Sequence, residues 1–78
     1  MYYVYAIQSL NRNYIYVGLT ENVERRFSEH QGGKNRTTKP YRPFRIIRTE
    51  SFETRLEARR REIYLKSGVG KEHLKTLI

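Results

Sequence analysis

Two short runs of β-forming residues, Tyr2–Gln8 and Tyr14–Leu19, flank the turn-type tetrapeptide Leu10-Asn11-Arg12-Asn13. A connection this short joins antiparallel strands, so the spacing predicts a β-hairpin. Side chains alternate between the two faces of a strand. Val4 and Ala6 therefore share one face with Ile15, Val17 and Leu19, while Tyr3, Tyr5 and Ile7 share the other with Tyr14, Tyr16 and Gly18. The aliphatic face is ordinary core material. The tyrosine face is not, because each hydroxyl needs a hydrogen-bond partner or a use.

The rest of the chain supplies what covers such a hairpin. Asn22 is placed to cap a helix running to about Gln31 and stopped by Gly32-Gly33. Val23 and Phe27 form its apolar stripe; Arg26 and His30 lie beside that stripe, at the edge of the core. Gly32–Pro43 reads as a basic loop and Phe44–Thr49 as a third strand. Thr54-Arg55-Leu56-Glu57 fits a capping box that opens a helix to about Ser67. On that helix Leu56 and Ile63 share one apolar side and Ala58 and Leu65 another. Glu62 falls between the two and is expected to be partly buried, while Arg60, Arg61 and Tyr64 take the wetter arc. Gly68 and Gly70 are expected to break the chain before a short last helix, Lys71–Ile78. The order β-β-α-β-α-α predicts an α+β fold, a three-stranded antiparallel sheet with flanking helices, in one domain spanning residues 1–78.

Charge narrows the partner. Sixteen Lys and Arg stand against eight acids, a formal net charge of +8. Between His30 and Thr49 there is no acid, while Lys34, Arg36, Lys39, Arg42, Arg45 and Arg48 all occur. A block of this kind supplies phosphate contacts and counterion release, so a nucleic acid is the expected partner. With no cysteine, thiolate metal sites and disulfides are excluded. All eight acids are glutamate and are spread along the chain, which argues against a two-metal carboxylate clamp. A single Mg²⁺ on one Glu, completed by waters and substrate phosphate, is compatible. No run approaches the roughly 18 apolar residues of a membrane helix. The first residues read as a strand and not as a leader, so the expected location is cytoplasmic.

Four elements then carry a resemblance. Tyr3-Val4-Tyr5 and Tyr16-Val17-Gly18, followed by "NVERRFSEH" (Asn22 to His30) and "EARRREIYLK" (Glu57 to Lys66), stand in order over nearly the whole chain. Together they resemble the GIY-YIG nuclease family, and its small stand-alone bacterial members most. The resemblance implies catalytic roles for Tyr5, Tyr16, Arg26 and His30, with Arg26 on the phosphate. It implies Glu62 as ligand of one divalent ion, Mg²⁺ or Mn²⁺, and Gly18 as a place where backbone and substrate approach. From charge rather than resemblance, Lys34, Arg36 and Lys39 are expected to touch nucleic-acid backbone, while the run Arg59-Arg60-Arg61 reads either as a phosphate clamp or as a solvated face. Two departures stand out: Tyr3 occupies a position the family normally fills with glycine, and the stretch from Gly32 to Lys39 lacks a tyrosine common in small members.

The chemistry is consistent with these residue types. Phosphodiester hydrolysis needs a deprotonated nucleophile, charge relief at phosphorus and a stabilised leaving oxygen. Tyr5 or Tyr16 would take the proton from water, assisted by His30; Arg26 would hold the phosphate. The implied activity is a DNA endonuclease of low or structure-directed specificity, with repair or recombination as its setting. RNA is the second candidate substrate, and a protein partner would supply targeting. The alternative is a basic nucleic-acid-binding module of the same fold without activity, its tyrosines stacking on bases.

Overall fold

The computed structural model describes all residues, 1–78. Strands β1 (Tyr2–Ser9), β2 (Ile15–Thr20) and β3 (Phe44–Phe52) form an antiparallel sheet of order β2-β1-β3. Helix α1 (Val23–Gln31) follows β2; α2 (Arg55–Lys66) and α3 (Gly68–Lys75) follow β3. A short 3-10 turn, Lys39–Tyr41, interrupts the basic loop.

Parity sets the two layers. Across β1 and β2, Val4 pairs with Leu19 and Ala6 with Val17, whereas Tyr5 pairs with Gly18 and Ile7 with Tyr16. The aliphatic face receives α2 and α3: Val4, Ala6, Ile15 and Val17 form one core with Ala58, Leu65 and Leu74. The tyrosine face forms a second core of Tyr5, Ile7 and Phe44, against which Val23 and Phe27 of α1 pack with Tyr14, Tyr16 and Tyr41. The third strand runs three residues past Thr49. An irregularity opposite Ala6 and Ile7 leaves Ile47 without a partner in the ladder, so Phe44 stays with the tyrosines while Ile47 and Phe52 pack on the aliphatic core.

The helix ends are capped as their residues dictate. Asn22 Oδ1 accepts from Arg25 N at 3.0 Å, and Thr54 Oγ1 accepts from Glu57 N at 3.3 Å while donating to the Glu57 carboxylate at 2.9 Å. Three expectations are overturned here. Gly68 and Gly70 do not break the chain: Ser67 caps α3 by accepting from Gly70 N at 3.2 Å, and both glycines lie in its first turn. Gly70 is required for packing, since a Cβ there would run into the Tyr64 carbonyl and come within 2.5 Å of Leu65 Cα. Leu56 and Ile63 do not face the core either; both are exposed, and the buried residues of α2 are Ala58, Glu62 and Leu65. Ala58 allows close approach of helix to sheet. Arg61, expected on the wet arc, instead donates to both oxygens of Glu50 on β3, at 2.7 and 3.0 Å, and locks that docking.

Candidate active site

The candidate site grows out of the Tyr5–Gly18 pair. A Cβ at position 18 would lie 2.5 Å from the Tyr5 hydroxyl and 2.6 Å from Cζ, so the Tyr5 ring occupies the space a side chain would fill. Gly18 thus makes room for Tyr5, where the resemblance implied approach of substrate. With its ring laid across β2, Tyr5 is 1% exposed, and its hydroxyl lies 2.8 Å from His30 Nε2. Ring centroids of Tyr5, Tyr16 and His30 stand 6.3, 5.8 and 5.0 Å apart, in the order Tyr5–Tyr16, Tyr5–His30 and Tyr16–His30.

His30 is not at the edge of the core as its helical position implied. It is fully buried, because the basic loop folds back over it and Phe44 packs edge-on at 6.0 Å. Its Nδ1 lies 2.8 Å from the hydroxyl of Thr38, itself fully buried. The Gln31 side chain fastens α1 to β3, accepting from Phe44 N at 2.7 Å and donating to Phe44 O at 3.1 Å. No local signal in the sequence marks Thr38 or Gln31, because neither belongs to a periodic or capping pattern. Each matters only through a partner brought close by the folded loop.

Arg26 lies beside Tyr5 and is ion-paired with Glu29 at 2.8 Å. Its side chain keeps about a third of its surface exposed. Burial, foremost, and Tyr16 push the Tyr5 hydroxyl up to about 12, with Arg26 opposing. Glu62 comes from α2, on the other face of the sheet. It hydrogen-bonds to none of the four residues, yet its carboxylate is near enough to Tyr5 to add to that upward push. Its two oxygens are held by Arg59 at 2.7 Å and Lys66 at 3.1 Å. Burial works against ionisation of Glu62, but these cations win and hold its pKa below the ordinary carboxylate value.

The donor set at Glu62 is one hard carboxylate, with no group of three or more ligand-type side chains around it. A carboxylate is a hard oxygen donor of the kind a divalent ion takes together with waters, and a metal there would have to displace Arg59 or Lys66 from it. Lys34, Arg36, Lys39 and Arg60 are exposed and make no ion pair, so their charge is free for a polyanion. Arg59 is exposed too, but is engaged with Glu62.

The buried imidazole makes a pH prediction. His30 faces Tyr5 of β1, Tyr16 of β2, Phe44 of β3, Thr38 of the loop, and Arg26 and Glu29 of its own helix. Burial, then Arg26, lower its pKa below 6.5, and Glu29 opposes them. As pH falls, the unfolded chain therefore takes up the proton first. This contribution to stability is complete above the ordinary value of 6.5 and is lost as pH falls towards the folded-state value. Thermal denaturation followed between about pH 8 and pH 5 should show that decline, and His30→Gln should flatten it. A wild-type profile already flat in this window would mean that the ring is not held neutral.

A basic α+β chain that buries a tyrosine–histidine pair beside an arginine has the makings of a phosphodiester enzyme. Comparison with known proteins makes the class definite: the GIY-YIG catalytic domain, a nuclease-type family, matches residues 1–75. The chain belongs to the GIY-YIG family. Among its relatives is the UPF0213 protein SH2523 of Staphylococcus haemolyticus, 36% identical over 97% of this chain and 93% of that protein. A UPF0213 protein of Limosilactobacillus reuteri is 34% identical over 99% and 82%, and one from Halobacterium salinarum, VNG_2274C, 39% identical over 85% and 86%. The solution NMR structure of the UPF0213 protein BH0048 from Bacillus halodurans is similar in fold. Its TM-score is 0.58 at 36% identity, covering 99% of this chain and 85% of that one. No helix is long and apolar enough to cross a membrane.

Proposed function

We propose that the protein is a divalent-metal-dependent endonuclease that hydrolyses DNA phosphodiester bonds, with low or structure-directed specificity. RNA is the second substrate to test, and repair or recombination, with a partner for targeting, is the cellular setting this reading implies. The observation that carries it is the Tyr5 hydroxyl 2.8 Å from the buried ring nitrogen of His30, beside a partly exposed arginine.

A tyrosine near 12 is no base by itself at neutral pH. Coupled to a neutral imidazole it can relay a proton: as water loses one to the Tyr5 oxygen, the Tyr5 proton passes to His30 Nε2. The resulting hydroxide forms a new bond to phosphorus, the bond from phosphorus to the 3′ oxygen breaks, and that oxygen is protonated from solvent. Arg26, next to the same hydroxyl, holds the phosphate and offsets the charge that develops on it. Tyr16 is half-buried, packs on both rings and has no hydrogen-bond partner, so its hydroxyl is free to orient the water or the phosphate. GIY-YIG endonucleases typically use a divalent metal. Glu62 would hold it here, and a bound ion would supply Lewis-acid stabilisation of negative charge.

The test is incubation of purified protein with supercoiled, branched and single-stranded DNA, and with RNA, in Mg²⁺ or Mn²⁺ and then in EDTA. Nicking or cutting that needs the metal is the expected result. Salt-sensitive binding without cutting in any metal would replace the enzyme with the binding module.

A further inference from the structure

We propose that Thr38 is a positioning residue that fixes His30 with its proton on Nδ1, leaving Nε2 to face Tyr5 as an acceptor. With substrate absent, the Tyr5 hydroxyl sits in a closed space whose donors and acceptors can be counted. The Tyr5 hydroxyl is buried, and its proton needs an acceptor. Arg26, its other polar neighbour, carries only donors. His30 Nε2, at 2.8 Å, is the acceptor within reach, so that nitrogen carries a lone pair. A neutral imidazole then bears its hydrogen on Nδ1, which donates to Thr38 Oγ1 at 2.8 Å. The single proton of that hydroxyl is left to point at the Asn35 carbonyl, 3.4 Å away.

The loop is built to hold Thr38 in this role. Asn35 Oδ1 accepts from the backbone N–H groups of Thr37 and Thr38 at 2.9 and 3.3 Å, and the Asn35 carbonyl accepts from Lys39 N at 2.9 Å. Thr38 O accepts from Tyr41 N at 2.9 Å. These bonds pin the backbone on both sides of a threonine with no exposed surface, and no buried side-chain polar atom lacks a partner. If Thr38 were a space-filler only, the ring would keep no partner for Nδ1. A buried imidazole could then turn its hydrogen to Nε2 and close the route for the tyrosine proton. That role in proton transfer rests on the nuclease reading; the tautomer does not.

The experiment is a long-range ¹H–¹⁵N correlation spectrum of the histidine rings at neutral pH, without substrate or metal. It is recorded on wild type, Thr38→Ser and Thr38→Val, with His73→Gln to assign the second histidine. Wild type and Thr38→Ser should show His30 with the hydrogen on Nδ1. Thr38→Val, which keeps the shape and loses the oxygen, should shift the population towards Nε2–H. A wild-type spectrum with the hydrogen on Nε2 overturns the proposal whether or not the valine variant folds. So does a folded Thr38→Val with the wild-type tautomer. Single-turnover cleavage adds a second readout: Thr38→Val should lose about tenfold or more, with a displaced pH profile, and Thr38→Ser should recover. Absence of cleavage in wild type defeats the nuclease reading and leaves the tautomer result standing.

Discussion

Arg26→Ala should lower single-turnover cleavage by roughly 10²–10³-fold, the usual consequence of removing one preorganised donor to developing charge. Folding should hardly change. The pair that Arg26 makes with Glu29 is about a third exposed on each side and spaced i,i+3 on one helix, an arrangement worth under about 1 kcal/mol. A melting temperature close to wild type alongside a collapsed rate is therefore the signature. Arg26→Lys should fall between the two, since an ammonium restores charge without the two-pronged donor geometry. The substitution also reports on the neighbours. Arg26 pulls Tyr5 downward and His30 downward, so its loss should raise the values of both groups. An Arg26→Ala protein that cuts within tenfold of wild type would remove the phosphate role from this residue, and would point to a contaminating nuclease if Glu62→Gln cut equally well.

How far the molecule could be read from its residues depended on the range of the interaction. Parity needs only a strand's period of two, and it placed Val4, Ala6 and Val17 on one face and Tyr5 and Tyr16 on the other. Caps are equally local, and Asn22 and Thr54 are where their side chains put them. Helical periodicity was less decisive on α2. It offered two apolar arcs, and which of them meets the sheet is settled by docking: small Ala58 permits contact and Arg61 reaches Glu50, leaving Leu56 and Ile63 in solvent. The glycines near residue 70 escape local rules for a related reason. Their helix propensity is poor, but the close crossing of α2 and α3 has no space for a side chain at Gly70. Least legible was His30. Its burial depends on a loop of twelve residues, Gly32–Pro43, closing over it through Asn35 and Thr38, and no periodic signal announces such a closure. The same distinction runs through the site. Tyr5, Tyr16, Arg26 and His30 meet within one face, whereas Glu62 reaches them as a nearby charge from the opposite layer.

Gly18→Ala separates the two uses that this glycine could have, and its effect should be large on both stability and rate. The added methyl would meet the Tyr5 oxygen at 2.5 Å and Cζ at 2.6 Å, and the ring cannot yield cheaply because His30 holds its hydroxyl and Tyr16 packs against it. Gly18 does not have a positive φ, so alanine is tolerated by the backbone and the clash is the whole effect. Overpacking of this kind costs about 1–3 kcal/mol. At about 4–8 °C per kcal/mol for a chain of this size, the melting temperature should drop by roughly 5–20 °C. Displacing Tyr5 from His30 should also cost about 10²-fold in rate, the scale expected when a reacting group is misplaced by an ångström. The double variant Tyr5→Leu/Gly18→Ala identifies the cause. If Tyr5 is what the methyl strikes, the shorter side chain should return much of the lost stability, a non-additive cycle, while the rate stays low because the hydroxyl is gone. If instead the glycine serves only to admit substrate, Gly18→Ala alone should keep the wild-type melting temperature and lose cleavage. The melting temperature of that single variant therefore decides which body fills the space above β2.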